Sequence, residues 1–285
     1  MGVYYRHLSF STFEFHMYNW HFTTTGDSTL PPLLLLHGWM GNCDDYTEIV
    51  EVLRSKFYCI AIDLPGHGNT EVIGSDGDYG FINTATGIVQ LLDRLEIDRC
   101  SIAGYSFGGR LALYLAIEFP DRFDRVMLES TSPGLATEIE RQARVIQDWQ
   151  IIDRLETDNF ANFVRYWYRQ PIFSGIDLHP GFNTLIQRRI ETNQPDNLVK
   201  SLVYSGLGMQ PYLGDRLKVH TQPISLIVGA LDRKFVDIGR EIDRTCLTTR
   251  VKIVPDCSHN IHFQQPQAWI DCWVQKPDFL KKSGF

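Results

Sequence analysis

The chain has 285 residues, 44% of them hydrophobic and 21% charged, an ordinary globular composition that can bury a large core. Its formal net charge of −7 excludes the broad basic surface that nonspecific nucleic-acid binding or attachment to an anionic membrane requires, although the charge of a single pocket stays open. The run Leu33 to Leu36 is far too short to span a membrane, and Met1 to Phe10 lacks an apolar core of signal-peptide length.

Residues 1–30 are expected to form an opening β-hairpin, because Tyr18 to Phe22 alternates aromatic and polar residues and Gly26-Asp27 marks a turn. Leu33 to Leu36 reads as a buried strand ending at His37-Gly38. Tyr46, Ile49, Val50 and Leu53 have helical spacing within 44–55. A second buried strand, Phe57 to Ile62, stops at the tight loop Asp63 to Gly68. Ile88, Leu91, Leu92 and Leu95 mark a helix over 83–95. The strand Cys100 to Ala103 leads into a Gly-rich turn, a helix from Arg110 to Phe119, and a strand at Val126 to Leu128. This alternation implies a mostly parallel sheet covered on both faces.

The rhythm breaks after residue 130. From Gly134 to about Leu202 the chain reads as helical, rich in aromatics and arginine. It resumes with a strand at Ile224 to Val228, a helix near Val236 to Cys246, a strand at Val251 to Val254 and a last helix from Gln267. Residues 1–133 and 203–285 are thus expected to form one α/β core, with 134–202 inserted as a helical lid. The six cysteines are scattered without a Cys-x-x-Cys pair, and a reducing cytoplasm is the expected setting.

Gly104-Tyr105-Ser106-Phe107-Gly108 is a Gly-x-Ser-x-Gly pattern placed where it carries meaning: after a buried strand and at the opening of a helix. The expected architecture is the α/β-hydrolase fold, with Ser106 projecting above the carboxyl ends of the strands. Asp232 lies just past one later strand and His259 just past another, giving the chain order Ser, Asp, His. His259 would accept the Ser106 proton, and Asp232 would fix the imidazole's tautomer and orientation. Glu129, at the end of the strand after the elbow helix, is the rival acid; His262 is expected to point elsewhere. The backbone N–H groups of Phe107 and Trp39 are the expected oxyanion hole, while His37 and His67 are read as structural.

Longer stretches carry a more specific resemblance. Gly108-Gly109-Arg110-Leu111-Ala112, Ser132-Pro133-Gly134-Leu135, Glu140 to Arg144, Tyr166-Trp167-Tyr168-Arg169-Gln170-Pro171 and Gly208-Met209-Gln210-Pro211 resemble the 2-succinyl-6-hydroxy-2,4-cyclohexadiene-1-carboxylate (SHCHC) synthase family. The resemblance implies a lyase that eliminates pyruvate from an enolpyruvyl-cyclohexene carboxylate on the route to menaquinone or phylloquinone. It implies Ser106 as a base activated by His259, and a hole that holds an enolate oxygen. For the substrate's carboxylates it implies Arg110, Arg141 and one of Arg188 or Arg189, of which Arg189 is preferred, with Tyr105, Trp167 and Tyr168 lining the pocket.

Arg110 is the best placed on physical grounds, on the elbow helix within reach of Ser106. Between residues 131 and 199, seven arginines face nine acids, so several of those arginines must be paired or solvated. There are two departures: Cys257-Ser258 precedes His259 where glycine is common in the α/β-hydrolase superfold, and Ala136 stands where some relatives carry a polar residue. A serine esterase, a thioesterase or a carbon–carbon bond hydrolase is the alternative on the same three residues. The partner expected is an anionic small molecule, with no nucleic acid and no membrane insertion, and the assembly a monomer or weak homo-oligomer. No ligand-spaced cluster and no dinucleotide fingerprint occurs, so neither a metal nor an organic cofactor is expected.

Overall fold

The computed structural model describes residues 17–274, so the first part of the expected hairpin lies outside the described residues. In chain order the strands are β1 (Tyr18–Asn19), β2 (Phe22–Thr25), β3 (Pro32–Leu36), β4 (Tyr58–Ile62), β5 (Glu71–Val72), β6 (Cys100–Tyr105), β7 (Phe123–Glu129), β8 (Ile224–Gly229) and β9 (Thr249–Val254). Seven of them form one sheet in the order β2-β4-β3-β6-β7-β8-β9, parallel throughout except for the antiparallel edge pair β2–β4. Helices α1 (Thr47–Leu53), α2 (Phe81–Arg94) and α3 (Phe107–Glu118) connect the strands of its first half.

The leucine run shows why the sheet is covered on both faces. Along β3, Leu34 and Leu36 enter one apolar cluster, while Leu33 and Leu35 enter a second on the opposite face. Successive side chains of a strand point to opposite faces, so four consecutive leucines can all be buried only between two layers. Burying each one contributes on the order of 1.5–3 kcal/mol.

Between β7 and β8 the chain is helical: α4 (Glu138–Thr157), α5 (Phe160–Trp167), α6 (Phe182–Thr192), α7 (Pro195–Ser205) and the short α8 (Gly214–Lys218). A Thr137–Glu140 capping box starts α4. Helices α5, α6 and α7 share a third apolar cluster, built on Phe163, Val164, Leu185, Ile186 and Leu198 and closed by Met40 from the core. Helix α7 continues through Leu202, so the expected boundary there falls inside a helix. The chain then forms α9 (Arg233–Thr245), α10 (Ile261–Gln264) and α11 (Pro266–Val274).

The opening hairpin is not formed within the described residues. Strand β1 pairs with β5 and β2 with β4, so the alternating residues are extended but their partners lie elsewhere in the chain. Asp63 secures this edge: its carboxylate accepts from Cys43 N, from Asn69 N and from His21 Nδ1. The His21, Cys43 and Asp63 ligand-type atoms lie within 4.8 Å of one another, a convergence that spacing along the chain does not reveal.

His37 and His67 serve the loops beside β3 and β4. His37 Nδ1 donates to the Gly38 carbonyl and Nε2 accepts from Leu64 N, while His67 packs on His37 and Phe107. Burial lowers both pKa values, His67 to about 3. Unfolded, each titrates near 6.5, so below that pH the unfolded chain binds protons that the fold excludes. Stability therefore falls with decreasing pH from about 6.5 toward 3, by up to about 1.4 kcal/mol per pH unit for His67. In urea denaturation, His67→Gln should lose less stability than the parent between pH 6.5 and 5; equal losses would contradict this assignment.

Candidate active site

The sheet register assembles the site. Leu36 pairs with Gly104, Tyr105 with Glu129 and Gly229 with Val254, so the loops after β3, β6, β8 and β9 emerge along one edge of the sheet. Ser106 sits in the turn between β6 and α3 at φ +50°, ψ −105°, a left-handed backbone that a non-glycine residue occupies at a cost of about 1–3 kcal/mol. Glycine is required around it. A Cβ on Gly104 would strike the Gly108 carbonyl, and one on Gly108 would strike the carbonyls of Leu36 and His37.

The strained turn aims Ser106 Oγ at His259 Nε2, 3.0 Å away, and His259 Nδ1 lies 2.6 Å from Asp232 Oδ2. Asp232 and His259 are buried. The remaining Asp232 oxygen accepts from Phe235 N and caps α9. Phe235, Tyr105 and Phe173 surround the imidazole with ring centroids 4.6, 5.4 and 5.5 Å away. The His259 backbone N–H donates to the carbonyl of Ile172, in the helical insertion. With Nδ1 donating to the carboxylate, Nε2 is left to accept the serine proton. The N–H groups of Phe107 and Trp39 carry no hydrogen bond among the described residues, and both residues line the cavity beside Ser106.

Glu129 serves a different histidine. Its carboxylate accepts from Ile261 N, His262 N, His262 Nδ1 and Trp269 Nε1. It anchors the turn after His259, whose imidazole is bonded instead to Asp232 and Ser106.

A cavity of about 240 Å³ opens above Ser106. Trp39, Phe107, Ile151, Trp167, Ile172 and Phe235 supply much of its apolar wall. Among the described residues its charged lining is Arg110, Arg144 and Lys234, with no aspartate or glutamate. Arg110 donates to Gln210 Oε1 and the Ser205 carbonyl and packs on Phe107 and Phe81, but no carboxylate pairs with it among the described residues. Burial and the neighbouring Arg144 push its pKa down to about 9, so it remains charged at neutral pH. A half-buried cation with no carboxylate bonded to it favours an anionic ligand.

The sequence matches the α/β-hydrolase-fold family over residues 31–266. A Serratia proteamaculans protein named SHCHC synthase is 30% identical over 86% of this chain and 92% of its own length. The solved structure of MenH from S. aureus superposes with a TM-score of 0.83 at 28% identity, covering 92% of this chain and 97% of that one. The chain belongs to the SHCHC synthase family. The Arabidopsis thaliana protein PHYLLO, chloroplastic, is 25% identical over 82% of this chain, which spans 14% of PHYLLO.

Within this SHCHC synthase fold the residues expected at the substrate divide into two groups. Arg110 and Trp167 line the Ser106 cavity, and Trp167 packs on Trp39 with centroids 4.5 Å apart. Tyr105, Arg141, Tyr168 and Arg189 do not line it. Tyr105 is buried between Gly38, His259 and His262. Arg141 turns to Glu138 and to the carbonyls of Leu135 and Ala136. Arg189 is buried in a bidentate pair with Asp45, and its Nε donates to the Tyr168 hydroxyl. Arg188, the other member of that choice, is also held by Asp45. In their place the fold presents Arg144 and Lys234, which sequence reasoning did not select. The position of Lys234, two residues past Asp232, was the available clue.

Proposed function

We propose that this protein eliminates pyruvate from 2-succinyl-5-enolpyruvyl-6-hydroxy-3-cyclohexene-1-carboxylate to give SHCHC, in menaquinone or phylloquinone biosynthesis. The observation that carries this reading is a Ser106–His259–Asp232 relay opening onto a cavity whose charged lining, among the described residues, is cationic. Family membership supplies the reaction.

In this mechanism His259 takes the Ser106 proton as Ser106 Oγ removes the C–H proton beside the succinyl ketone. Negative charge moves to the ketone oxygen, toward the N–H groups of Phe107 and Trp39. Collapse of this enolate forms a ring double bond at the deprotonated carbon, shifts the existing ring double bond toward the leaving group and breaks the C–O bond to the enolpyruvyl group, giving the diene. The departing enolate takes up the proton carried by His259 and becomes pyruvate. Asp232 stabilises the imidazolium meanwhile without itself becoming protonated. Arg110 binds a substrate carboxylate, and Trp39 and Trp167 bound the ring.

The test is to supply the enolpyruvyl substrate and follow both pyruvate release and diene absorbance. Release with the parent protein is expected, and Arg110→Ala should lower kcat/KM by about 10²-fold through the lost charged hydrogen bonds. Ester hydrolysis without pyruvate release would overturn the lyase reading. Equal losses by Arg110→Ala on this substrate and on a small neutral ester would remove Arg110 from carboxylate binding.

A further inference from the structure

We propose that His21, Cys43 and Asp63 form a binding site for one divalent cation of the zinc class, coordinated through His21 Nδ1, Cys43 Sγ and an Asp63 carboxylate oxygen. The site lies outside the Ser106 cavity, which none of the three residues lines, and it does not depend on the lyase reading.

Three successive segments of the chain meet there. His21 stands just before β2, Asp63 just after β4, and Cys43 opens the helical turn Cys43–Tyr46 between β3 and α1. The pairing of β2 with β4 sets Phe22 opposite Ile62, and the Asp63 N–H donates to the His21 carbonyl at 2.9 Å. The ligand-type atoms converge as a result. His21 Nδ1 lies 2.8 Å from Asp63 Oδ2 and 3.9 Å from Cys43 Sγ, and the three side chains offer ligand atoms within 4.8 Å of one another. A tetrahedral zinc ion, with bonds of about 2.0 Å to nitrogen and oxygen and about 2.3 Å to sulfur, separates its ligand atoms by about 3.3–3.5 Å. The His21–Asp63 pair opens slightly and the sulfur moves in, shifts that side-chain torsions can supply.

The outer support of such a site is already built. Asp63 is fully buried, and the N–H groups of Cys43 and Asn69 donate to its two oxygens at 2.7 and 2.8 Å. Bonds of this kind orient a ligating carboxylate, and they stay in place when the cation replaces the His21 contact. Charge balances too. A thiolate, a carboxylate and a neutral imidazole offset the two positive charges of the cation, so the filled site is neutral. On binding, the Cys43 thiol loses its proton to solvent and His21 coordinates as the neutral ring with Nδ1 bare. A sulfur, nitrogen and oxygen set suits zinc-class ions and not magnesium or calcium, which take oxygen shells.

An entry path is present. The His21 side chain is 21% exposed and lines a cavity of about 720 Å³ between the β1–β5 pair and α7. Among the described residues that cavity is lined by Glu71 and by no lysine or arginine, so nothing charged opposes an approaching cation. Three protein ligands leave the fourth position to water from this side.

The experiment titrates the whole, chelator-treated chain with Co2+, a spectroscopic stand-in for zinc. One equivalent should produce a thiolate-to-cobalt charge-transfer band in the near ultraviolet and tetrahedral d–d bands in the visible, both removed by Zn2+. Cys43→Ser should abolish the charge-transfer band. His21→Gln, a change at a partly exposed position, should weaken Zn2+ binding by about 10²-fold, since even an outer-shell partner contributes roughly 10–100-fold. Zn2+ should raise the thermal midpoint of the parent and leave that of His21→Gln unchanged.

Absence of the charge-transfer band in the parent would overturn the proposal. So would its survival in Cys43→Ser, which would put the metal on another of the buried cysteines. Equal Zn2+ affinity of the parent and His21→Gln would overturn it as well.

Discussion

Ser106→Ala is expected to lower kcat/KM for pyruvate release by about four orders of magnitude. The relay is short and well aligned, with Oγ 3.0 Å from an imidazole that is itself held at 2.6 Å by a buried carboxylate. Under the proposed mechanism, alanine removes the oxygen that would take the substrate proton and leaves the other groups in place. What survives is catalysis by the two N–H donors and by binding, which in serine-triad enzymes still exceeds the uncatalysed rate. Binding of the stable aromatic analogue 2-succinylbenzoate should persist in this variant, which separates a lost base from a lost pocket. A drop of less than tenfold would mean that His259 takes the substrate proton directly.

The second large effect is on stability. Asp45 is buried, with Arg189 bonded to both carboxylate oxygens at 2.7 and 2.8 Å and Arg188 bonded to one at 2.9 Å. Burial alone would raise its pKa, but the two guanidiniums outweigh burial and hold it at about 2. Asp45→Ala would strand Arg189, which is fully buried, without a counter-ion; breaking such a pair costs about 3–5 kcal/mol. Asp45→Ala combined with Arg189→Met should recover much of the loss, since the apolar pair removes the stranded charge. Denaturant midpoints of the single and double variants check this, and a single variant within about 1 kcal/mol of the parent would refute it. The depressed pKa sets the pH range: the contribution is present above about pH 4 and fades as pH falls toward 2.

This ion pair also shows where sequence reading stopped. Arg189 resembled a ligand-binding arginine because the partner that claims it, Asp45, lies 144 positions away. Arg141 and Arg144 are three residues apart on α4 and look interchangeable in sequence. Local pairing separates them: Glu138 and the carbonyls before the helix hold Arg141, whereas Asp148 holds Arg144 by one nitrogen and leaves the rest facing the cavity. Ser106, Asp232 and His259 were legible for the opposite reason. Each lies just past a strand, and a parallel sheet gathers such strand ends on one edge whatever their separation in the chain. The opening hairpin failed because period-two alternation identifies a strand without naming its neighbour.

One bond described above bears on how the protein comes into being. The backbone N–H of His259 is tied to Ile172 in the insertion, while the turn after it is tied to Glu129 of the core. A chain is made from its N-terminus, and His259 follows Ser106 by 153 positions. An emerging polypeptide therefore exposes its serine long before it has a base to sharpen it. Reactivity arrives only when the last strand has joined the sheet and the helical insertion has docked, so folding itself acts as the safety catch on the nucleophile.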